Sequence, residues 1–153
     1  MTYTIHHGEG VDGRLLRQGE QRGVLQAVVD VSGRELLFMA THIDYRPDDS
    51  ERVQNVAQFA EVLEAYPGLP AVFGGDFNDT PGSRTYNGMA AAFDDVWALA
   101  GQGEGFTIPS RAPNKRIDFL WVRKGSPLRP LRAWVPRSEA SDHLPLVAEF
   151  EWK

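Results

Sequence analysis

The sequence predicts an α+β domain in which central sheets are covered by helices on the outside. Many short β-prone segments recur along the chain, and only a few segments between them have helical periodicity. The chain has 153 residues, of which 42% are hydrophobic, and this is enough for one domain with a buried core. No repeat or low-complexity segment is evident, so we predict a single domain over residues 1–153.

Composition narrows the classes of function. The net charge is −5 and the isoelectric point is about 5.3, which disfavours a broad basic groove for nucleic acid. It does not exclude a small phosphate ester held by a metal ion and one or two arginines. The absence of cysteine excludes disulfides and zinc–thiolate sites. The chain has no apolar run of membrane-spanning length and no signal-peptide pattern, so we expect a soluble protein, cytoplasmic by default.

The first part of the chain is predicted to form three strands. β-Branched and aromatic residues predict strands over residues 1–5, 24–31 and 36–41, and residues 32–35 are predicted to be the hairpin turn between the last two.

A helix is predicted after these strands. Asp49 or Ser50 is suited to the N-cap, Glu51 to the first turn, and residues 66–68 are predicted to end the helix. Apolar residues at helical spacing predict its buried stripe, which consists of Val53, Val56, Ala57, Ala60 and Leu63.

The second part of the chain is predicted to alternate short strands with short helices. Residues 81–89 are expected to form a turn and a short helix, and residues 93–100 a second helix that ends at Gly101. The predicted strands cover residues 71–76, 106–108, 117–122, 127–135 and 147–152.

The strand over residues 71–76 ends in a group of polar residues. Two glycines allow a sharp bend before Asp76, Phe77 and Asn78. Alternation along an extended chain puts Asp76 and Asn78 on the same side and Phe77 on the other. A carboxylate and a carboxamide at a strand end predict a site, although both residue types are also common in turns.

Three other strand ends carry similar groups. A histidine at the end of an apolar strand is as often structural as functional. An acid inside an apolar strand is costly to bury unless it is paired, and the alternative is an edge strand that turns this acid to the surface. The four sets are His42 with Asp44, Asp76 with Asn78, Asp118, and Asp142 with His143.

Four motifs resemble, in order, those of the endonuclease/exonuclease/phosphatase superfamily, the DNase I-like group. They are Thr41-His42-Ile43-Asp44, Gly75-Asp76-Phe77-Asn78, Arg116-Ile117-Asp118-Phe119 and Ser141-Asp142-His143-Leu144-Pro145. The resemblance covers residues 20–153, and residues 2–8 also resemble the first strand of that family. It implies a layered β-sandwich of two mixed sheets flanked by helices, and metal-assisted cleavage of a phosphate ester by water.

The resemblance also implies roles for individual residues. His143 would be the general base for the attacking water, or would stabilise the transition state directly. Asp118 would bind the other ring nitrogen and fix the tautomer. Asp76 would orient the nucleophile or bind a metal ion, Asn78 would donate to a phosphoryl oxygen, and His42 would contact the phosphate or leaving group.

Further implied roles concern the metal ion and one more acid. Glu20 matches a family acid that pairs with His42. Asp142, Asp76 and Asn78 are the implied metal ligands, and their hard oxygen atoms favour Mg²⁺ or Mn²⁺.

The sequence departs from the family pattern near its start. Thr4 stands where the family normally has an asparagine. The helix and the Gln-Glu strand that normally follow have no room between Gly13 and Glu20, so the domain is predicted to be shortened and its principal metal-ligating glutamate missing. Glu9 and Asp12 are the nearest replacements along the chain. The missing block should leave an open edge or apolar face, which predicts a homodimer.

The sequence therefore predicts a divalent-metal-dependent hydrolase of phosphate esters, with phosphodiesters favoured over monoesters. Nucleic acid is a possible substrate that the net charge does not favour, although a local basic patch could steer it. That patch would consist of Arg22, Arg46, Arg52, Lys115 and Arg116. The alternative is a catalytically weakened or inactive relic that acts as a binding module, which the missing glutamate and Thr4 would favour.

Overall fold

The structure is a computed structural model that describes residues 2–4 and 22–153. Within these residues the order of elements is β1 (Thr2–Thr4), β2 (Gly23–Asp30), β3 (Glu35–His42), α1 (Ser50–Glu64), β4 (Ala71–Asp76), α2 (Arg84–Met89), β5 (Phe93–Asp95), α3 (Val96–Ala100), β6 (Asp118–Arg123), β7 (Leu128–Trp134) and β8 (Val147–Trp152). The predicted α+β architecture is confirmed. None of these helices is long and apolar enough to cross a membrane.

Six strands form one mixed sheet in the order β1-β2-β3-β4-β6-β5, and β7 pairs with β8 in a separate antiparallel sheet. The pair β3–β4 is parallel, with α1 as the crossover between the two strands, and the other pairs of the large sheet are antiparallel. The last residues of β3 and β4 and the first residue of β6 therefore lie side by side at the same end of their strands.

Two hydrophobic cores give the molecule its layers, because alternate residues of the large sheet point to opposite faces. The face toward α1 packs the larger core, in which Phe59, Phe73, Phe77 and Trp121 are each at most 1% exposed. The opposite face packs against β7 and β8. The buried residues of that second core are Val72, Val96, Trp97, Val122, Leu128 and Ala133.

The second core covers only part of its face. Phe38 lies beside Val72 in the register of β3 and β4, and so belongs to the same face. It is nevertheless 42% exposed, and on β2 Leu25 is 55% and Val29 is 37% exposed. An apolar strip across β2 and β3 therefore faces solvent.

The predicted buried stripe of α1 is wrong at two of its five positions, and Val53 and Val56 are only partly buried. Asp49 is the N-cap residue, as expected, but Ala57 and Ala60 are exposed and only Leu63 of the predicted set is fully buried. The buried residues are Arg52, Asn55, Phe59, Val62 and Leu63. Arg52 can be buried because its guanidinium donates to backbone carbonyls, which a pattern of apolar residues does not reveal.

Two other predicted elements also differ. Residues 93–100 are not one helix, because the first three form β5, which pairs with β6. Asp95 then caps α3 by accepting a hydrogen bond from the backbone N–H of Trp97 at 2.9 Å. The strand predicted over residues 106–108 is reduced to a single bridge between Ile108 and Lys115.

Candidate active site

The adjacent ends of β3, β4 and β6 bring three of the predicted site residues together. His42 is paired in register with Asp76, and Asp76 is paired with Asp118. Oδ2 of Asp76 lies 3.5 Å from Nε2 of His42 and 4.0 Å from Nε2 of His143. Side chains from three strands and one loop therefore converge on one point, as the polar strand ends predict.

Glycine is required for this close approach. Gly75 has a φ of +153°, and a Cβ atom at this position would lie 2.0 Å from the carbonyl oxygen of Thr41. Any larger residue would push β3 and β4 apart beside His42 and Asp76.

Aromatic packing and two hydrogen bonds hold the turn after β4. Phe77 is 1% exposed and packs edge-on against Phe73, with ring centroids 5.5 Å apart. Asn78 lies outside β4 with a φ of +47°, so the strand alternation predicted for Asp76 and Asn78 does not extend to it. The backbone N–H of Asn78 donates to Oδ1 of Asp76 at 2.8 Å, and Nδ2 of Asn78 donates to the carbonyl of Ile43 at 3.0 Å. One N–H of the Asn78 carboxamide has a structural partner, and the second remains available to a ligand.

Asp118 and His143 form a hydrogen-bonded pair. Nδ1 of His143 lies 2.9 Å from Oδ2 of Asp118, so Nε2 is the ring nitrogen that faces Asp76. The alternative of a surface-facing acid is wrong, because the side chain of Asp118 is only 20% exposed and is hydrogen-bonded to His143.

Thr107 is a site residue that the sequence did not reveal. Its side chain is fully buried, and Oγ1 donates to the same Oδ2 atom of Asp118 at 2.5 Å. Its carbonyl accepts a hydrogen bond from the backbone N–H of Leu144 at 2.7 Å. Thr107 therefore links Asp118 to the segment that carries His143. A single threonine in a short segment carries no pattern that distinguishes this role from that of an ordinary strand residue.

Electrostatic effects at the site act on His143 and Asp76. Burial opposes the charged imidazolium of His143, but the hydrogen bond and negative charge of Asp118, together with the charges of Asp76 and Asp142, outweigh it, so the pKa of His143 is raised. Burial raises the pKa of Asp76, and the nearby carboxylate of Asp118 adds to this effect. The negative charge of Asp76 and Asp118 therefore exceeds the positive charge that the nearby histidines supply.

This charge balance and the donor set suit a divalent cation. Ligand atoms of Asp76, Asp118 and His143 all lie within 4.8 Å of one another. A cation would favour the ionised form of Asp76 that burial disfavours, and carboxylate oxygens are ligands that Mg²⁺ and Mn²⁺ prefer. Asp142 is not a member of this group. It is exposed, and its Oδ1 accepts a hydrogen bond from Oγ of Ser141 at 3.2 Å.

Other predicted residues take no part in the site or lie outside the described residues. Asp44 is buried, forms an ion pair with Arg46 at 2.8 Å, and is not a member of the group formed by Asp76, Asp118 and His143. Glu20 lies outside the described residues, as do the proposed replacements Glu9 and Asp12. The same applies to the side chain of Thr4.

The predicted basic steering patch is wrong for three of its members. Arg46 is paired with Asp44, Arg52 with Asp79 at 3.3 Å, and Arg116 with Asp95 at 2.8 Å. These ion pairs neutralise the guanidinium groups and hold loops and strands together, so they supply little free positive charge. Net composition could not show which arginines are paired.

A cavity of about 370 Å³ opens onto the cluster. Its lining includes Asp76, Asp118 and His143, together with Ser138 and Ser141. Its size admits a phosphate group together with part of an attached alcohol.

The chain is similar to several known proteins. The model of the Endonuclease/Exonuclease/phosphatase family matches residues 2–143. The 2′,5′-phosphodiesterase 12 of Rattus norvegicus is 31% identical over 94 residues, which are 55% of this chain and 15% of that protein. The chain therefore spans a small part of the length of this relative.

Two solved structures share the fold. An endonuclease/exonuclease/phosphatase family protein from Bacteroides thetaiotaomicron aligns with a TM-score of 0.82 at 19% identity, covering 100% of this chain and 64% of that chain. The mannosyl-6-phosphatase of Bacteroides thetaiotaomicron VPI-5482 aligns with a TM-score of 0.75 at 20% identity, covering 90% of this chain and 60% of that chain. Both solved chains are longer than this chain, as expected if this is a shortened version of the fold.

Proposed function

Because the chain belongs to the endonuclease/exonuclease/phosphatase family, we propose that it is a divalent-metal-dependent hydrolase of phosphate esters. The observation that carries the proposal is the hydrogen bond of 2.9 Å between Asp118 and His143, with Asp76 facing the other ring nitrogen at 4.0 Å. This is an arrangement that can activate a water molecule beside a bound phosphate.

The proposed base is Nε2 of His143. Asp118 accepts the Nδ1–H and so leaves the lone pair of Nε2 directed toward Asp76. As a water oxygen bonds to phosphorus, Nε2 takes the proton from that water, and the bond from phosphorus to the leaving oxygen breaks. The imidazolium that forms is stabilised by the carboxylate of Asp118.

The residues around this base would position the substrate. Oδ2 of Asp76 can orient the attacking water, and the second N–H of the Asn78 carboxamide can donate to a phosphoryl oxygen. His42 is 57% exposed at its side chain and is placed to contact the phosphate or the leaving group, with Glu20 as its proposed partner.

The proposed metal ligands are Asp76, Asn78 and Asp142, with Mg²⁺ or Mn²⁺ as the ion. When bound, the ion would neutralise charge on the phosphate and on the leaving oxygen. Oδ2 of Asp118 already accepts two hydrogen bonds, from Thr107 and His143, and this favours Asp76 over that oxygen as a ligand.

Phosphodiesters are the favoured substrates. The relative named a 2′,5′-phosphodiesterase has the higher identity, 31%, whereas the mannosyl-6-phosphatase is similar in fold at 20%. Nucleic acid remains a possible source of the diester, but the net charge of −5 does not favour a long duplex.

The test is hydrolysis of bis-p-nitrophenyl phosphate with Mg²⁺, with Mn²⁺ or with EDTA. We expect metal-dependent turnover that EDTA abolishes, and a loss of at least about 100-fold in kcat in His143→Ala. Asp94→Asn, a change at a half-buried acid on β5, is the control and should leave the rate unchanged. An unchanged rate in His143→Ala would show that the mechanism is wrong.

A binding module without catalysis is the second candidate. The absence of the family's metal-ligating glutamate from the sequence, and Thr4 in place of asparagine, favour it. In that case no metal ion would support turnover, while bis-p-nitrophenyl phosphate would still bind to the cavity beside Asp76.

We also propose that the protein is a homodimer. The exposed apolar strip formed by Leu25, Val29 and Phe38 is the surface that a second copy would cover.

A further inference from the structure

A groove of about 910 Å³ lies next to the proposed active site. Ser138 and Ser141 line both this groove and the catalytic cavity, so the two spaces adjoin each other. Arg111 and Arg137 line the groove but not the cavity. The proposed mechanism assigns no role to either arginine.

Backbone contacts hold the two arginines close to the site. The carbonyl of Ser110, the residue before Arg111, is 3.4 Å from Nη1 of Arg137. The backbone N–H of Ser110 donates to the carbonyl of Asp142 at 2.6 Å, and Asp142 precedes the proposed base His143. Both arginines therefore belong to segments that hydrogen bonds through Ser110 connect to Asp142, the residue before His143.

These two arginines differ from most others in the described part of the chain. The arginines with carboxylate partners there are Arg46, Arg52, Arg84, Arg116, Arg129 and Arg132. Arg111 and Arg137 are exposed, and among the described residues no ion pair joins them to an acid. Glu139 and Asp142 line the same groove, yet neither is bonded to Arg111 or Arg137.

Arg111 and Arg137 form no ion pair with an acid among the described residues, although the net charge of the protein is −5. Guanidinium groups bind phosphate through paired hydrogen bonds, and they do so best when no carboxylate competes. A groove that joins a phosphate-hydrolysing site and carries two such groups is suited to a second anion on the same substrate.

We propose that Arg111 and Arg137 form a subsite for a second phosphate group of the substrate, one that is not cleaved. The preferred substrate is then a phosphate ester that carries another phosphate a short distance from the scissile one. This inference rests on the proposed function, because it assigns the substrate class of the same site.

The test compares two esters that differ by one phosphate. Thymidine 5′-(p-nitrophenyl phosphate) carries only the scissile diester, and its 3′-phosphorylated form carries a second phosphate. The rate of cleavage of the diester, at either of its two ester bonds, is measured for both compounds with Mg²⁺ or Mn²⁺. In the unmodified protein we expect kcat/KM to be about tenfold or more higher for the 3′-phosphorylated ester, since a charge-assisted hydrogen bond contributes about this factor. Equal values for the two esters would overturn the proposal.

Two variants locate the effect. Arg111→Gln and Arg137→Gln should each reduce the preference for the 3′-phosphorylated ester severalfold and leave cleavage of the other ester unchanged. Arg34→Gln is the matched control: Arg34 is also exposed and packs over Trp152, but it lies in the β2–β3 turn at the opposite end of β3 from His42. A preference that survives both groove variants would overturn the proposal, and so would an equal loss for the two esters.

Binding separates failure of the subsite from failure of catalysis. If neither ester is cleaved, the proposed function fails, and the subsite is then tested by calorimetry with thymidine 5′-phosphate and thymidine 3′,5′-bisphosphate. Tighter binding of the bisphosphate that falls in Arg111→Gln and Arg137→Gln, but not in Arg34→Gln, would support the subsite. Equal affinity for the two nucleotides would overturn it.

Discussion

A single carboxylate oxygen, Oδ2 of Asp118, accepts hydrogen bonds from both His143 and Thr107. This oxygen determines which nitrogen of His143 faces the cavity and how readily the ring holds a proton. The consequences for each partner can be measured separately.

The first residue-scale prediction concerns the pKa of His143 in metal-free protein. Burial lowers this pKa, and the hydrogen bond and charge of Asp118 raise it together with the charges of Asp76 and Asp142, so that the pKa is raised overall. Asp118→Asn removes the charge of this partner and leaves at most a neutral acceptor, so we expect the pKa of His143 to fall. Proton NMR titration of the His143 ring in EDTA measures both values. Asp94→Asn should not move the titration, and a pKa that stays the same in Asp118→Asn would contradict the assigned contact.

The second residue-scale prediction concerns Thr107 as a positioning residue. Thr107→Val keeps the shape of this buried side chain but removes the donor to Asp118. Asp118 then carries more unshared charge, so the pKa of His143 should rise further, and kcat should fall about tenfold as the Asp118–His143 pair loses its support. Thr107→Ser, which keeps the hydroxyl, should restore both. A purely structural threonine would lower stability without moving the His143 titration.

At this scale, motif spacing in the sequence identified which side chains carry the chemistry but not how they are supported. Asp118 and His143 belong to short, distinctive motifs, whereas Thr107 lies in no motif and acts only through a contact made by folding. The neutralised arginines were missed for the same reason, since Arg52 and Arg116 meet their partners only in three dimensions.

Among the elements, the side chain of the buried Asp95 links the end of β5 to α2, to α3 and to Arg116, which precedes β6. Asp95 is the last residue of β5 and the N-cap of α3. Its carboxylate accepts a hydrogen bond from the Tyr86 hydroxyl of α2 at 3.0 Å and pairs with Arg116, just before β6, at 2.8 Å. Because Arg116 is only 7% exposed, its buried guanidinium needs the carboxylate of Asp95 as a partner. Arg116 also lies two residues before Asp118, so this network helps to hold the start of β6.

The element-scale prediction follows from that dependence. Asp95→Ala leaves a buried guanidinium without its carboxylate and should lower the free energy of unfolding by about 3–5 kcal/mol. The neighbouring Asp94 is 3.9 Å from the exposed Lys124, so Asp94→Ala should cost less than about 1 kcal/mol. Urea unfolding followed by tryptophan fluorescence measures both. Similar costs for the two variants would contradict the proposed role of Asp95.

Prediction of the elements from sequence succeeded where periodicity was strong and failed where polar contacts determined the structure. The strand over 71–76 and the start of α1 have the predicted positions. The buried face of α1 was wrong because Arg52 and Asn55 are buried in it. Residues 93–100 were wrong because a helical pattern of apolar residues also fits a short strand followed by one helical turn.

At the scale of the whole molecule, this chain covers only 64% of the solved family protein from Bacteroides thetaiotaomicron. The layer formed by β7 and β8 leaves part of β2 and β3 uncovered. The expectation of an exposed apolar surface came from the sequence, through the missing block. Its position on the sandwich face came only from the register of β2, β3 and β4, which the sequence could not supply.

The last prediction is that a second copy covers this face. Leu25, Val29 and Phe38 form an apolar strip, and a stable interface needs about 1,000 Å² of buried surface, so residues around the strip must also contribute. Light scattering after size exclusion, at micromolar concentration, should give twice the chain mass of 17.1 kDa. Phe38→Glu should give a single chain, because it places a charge at the centre of the interface. Leu99→Glu, at an apolar residue of α3 that is 58% exposed, should remain a dimer. A monomeric unmodified protein would show that this face has no such partner.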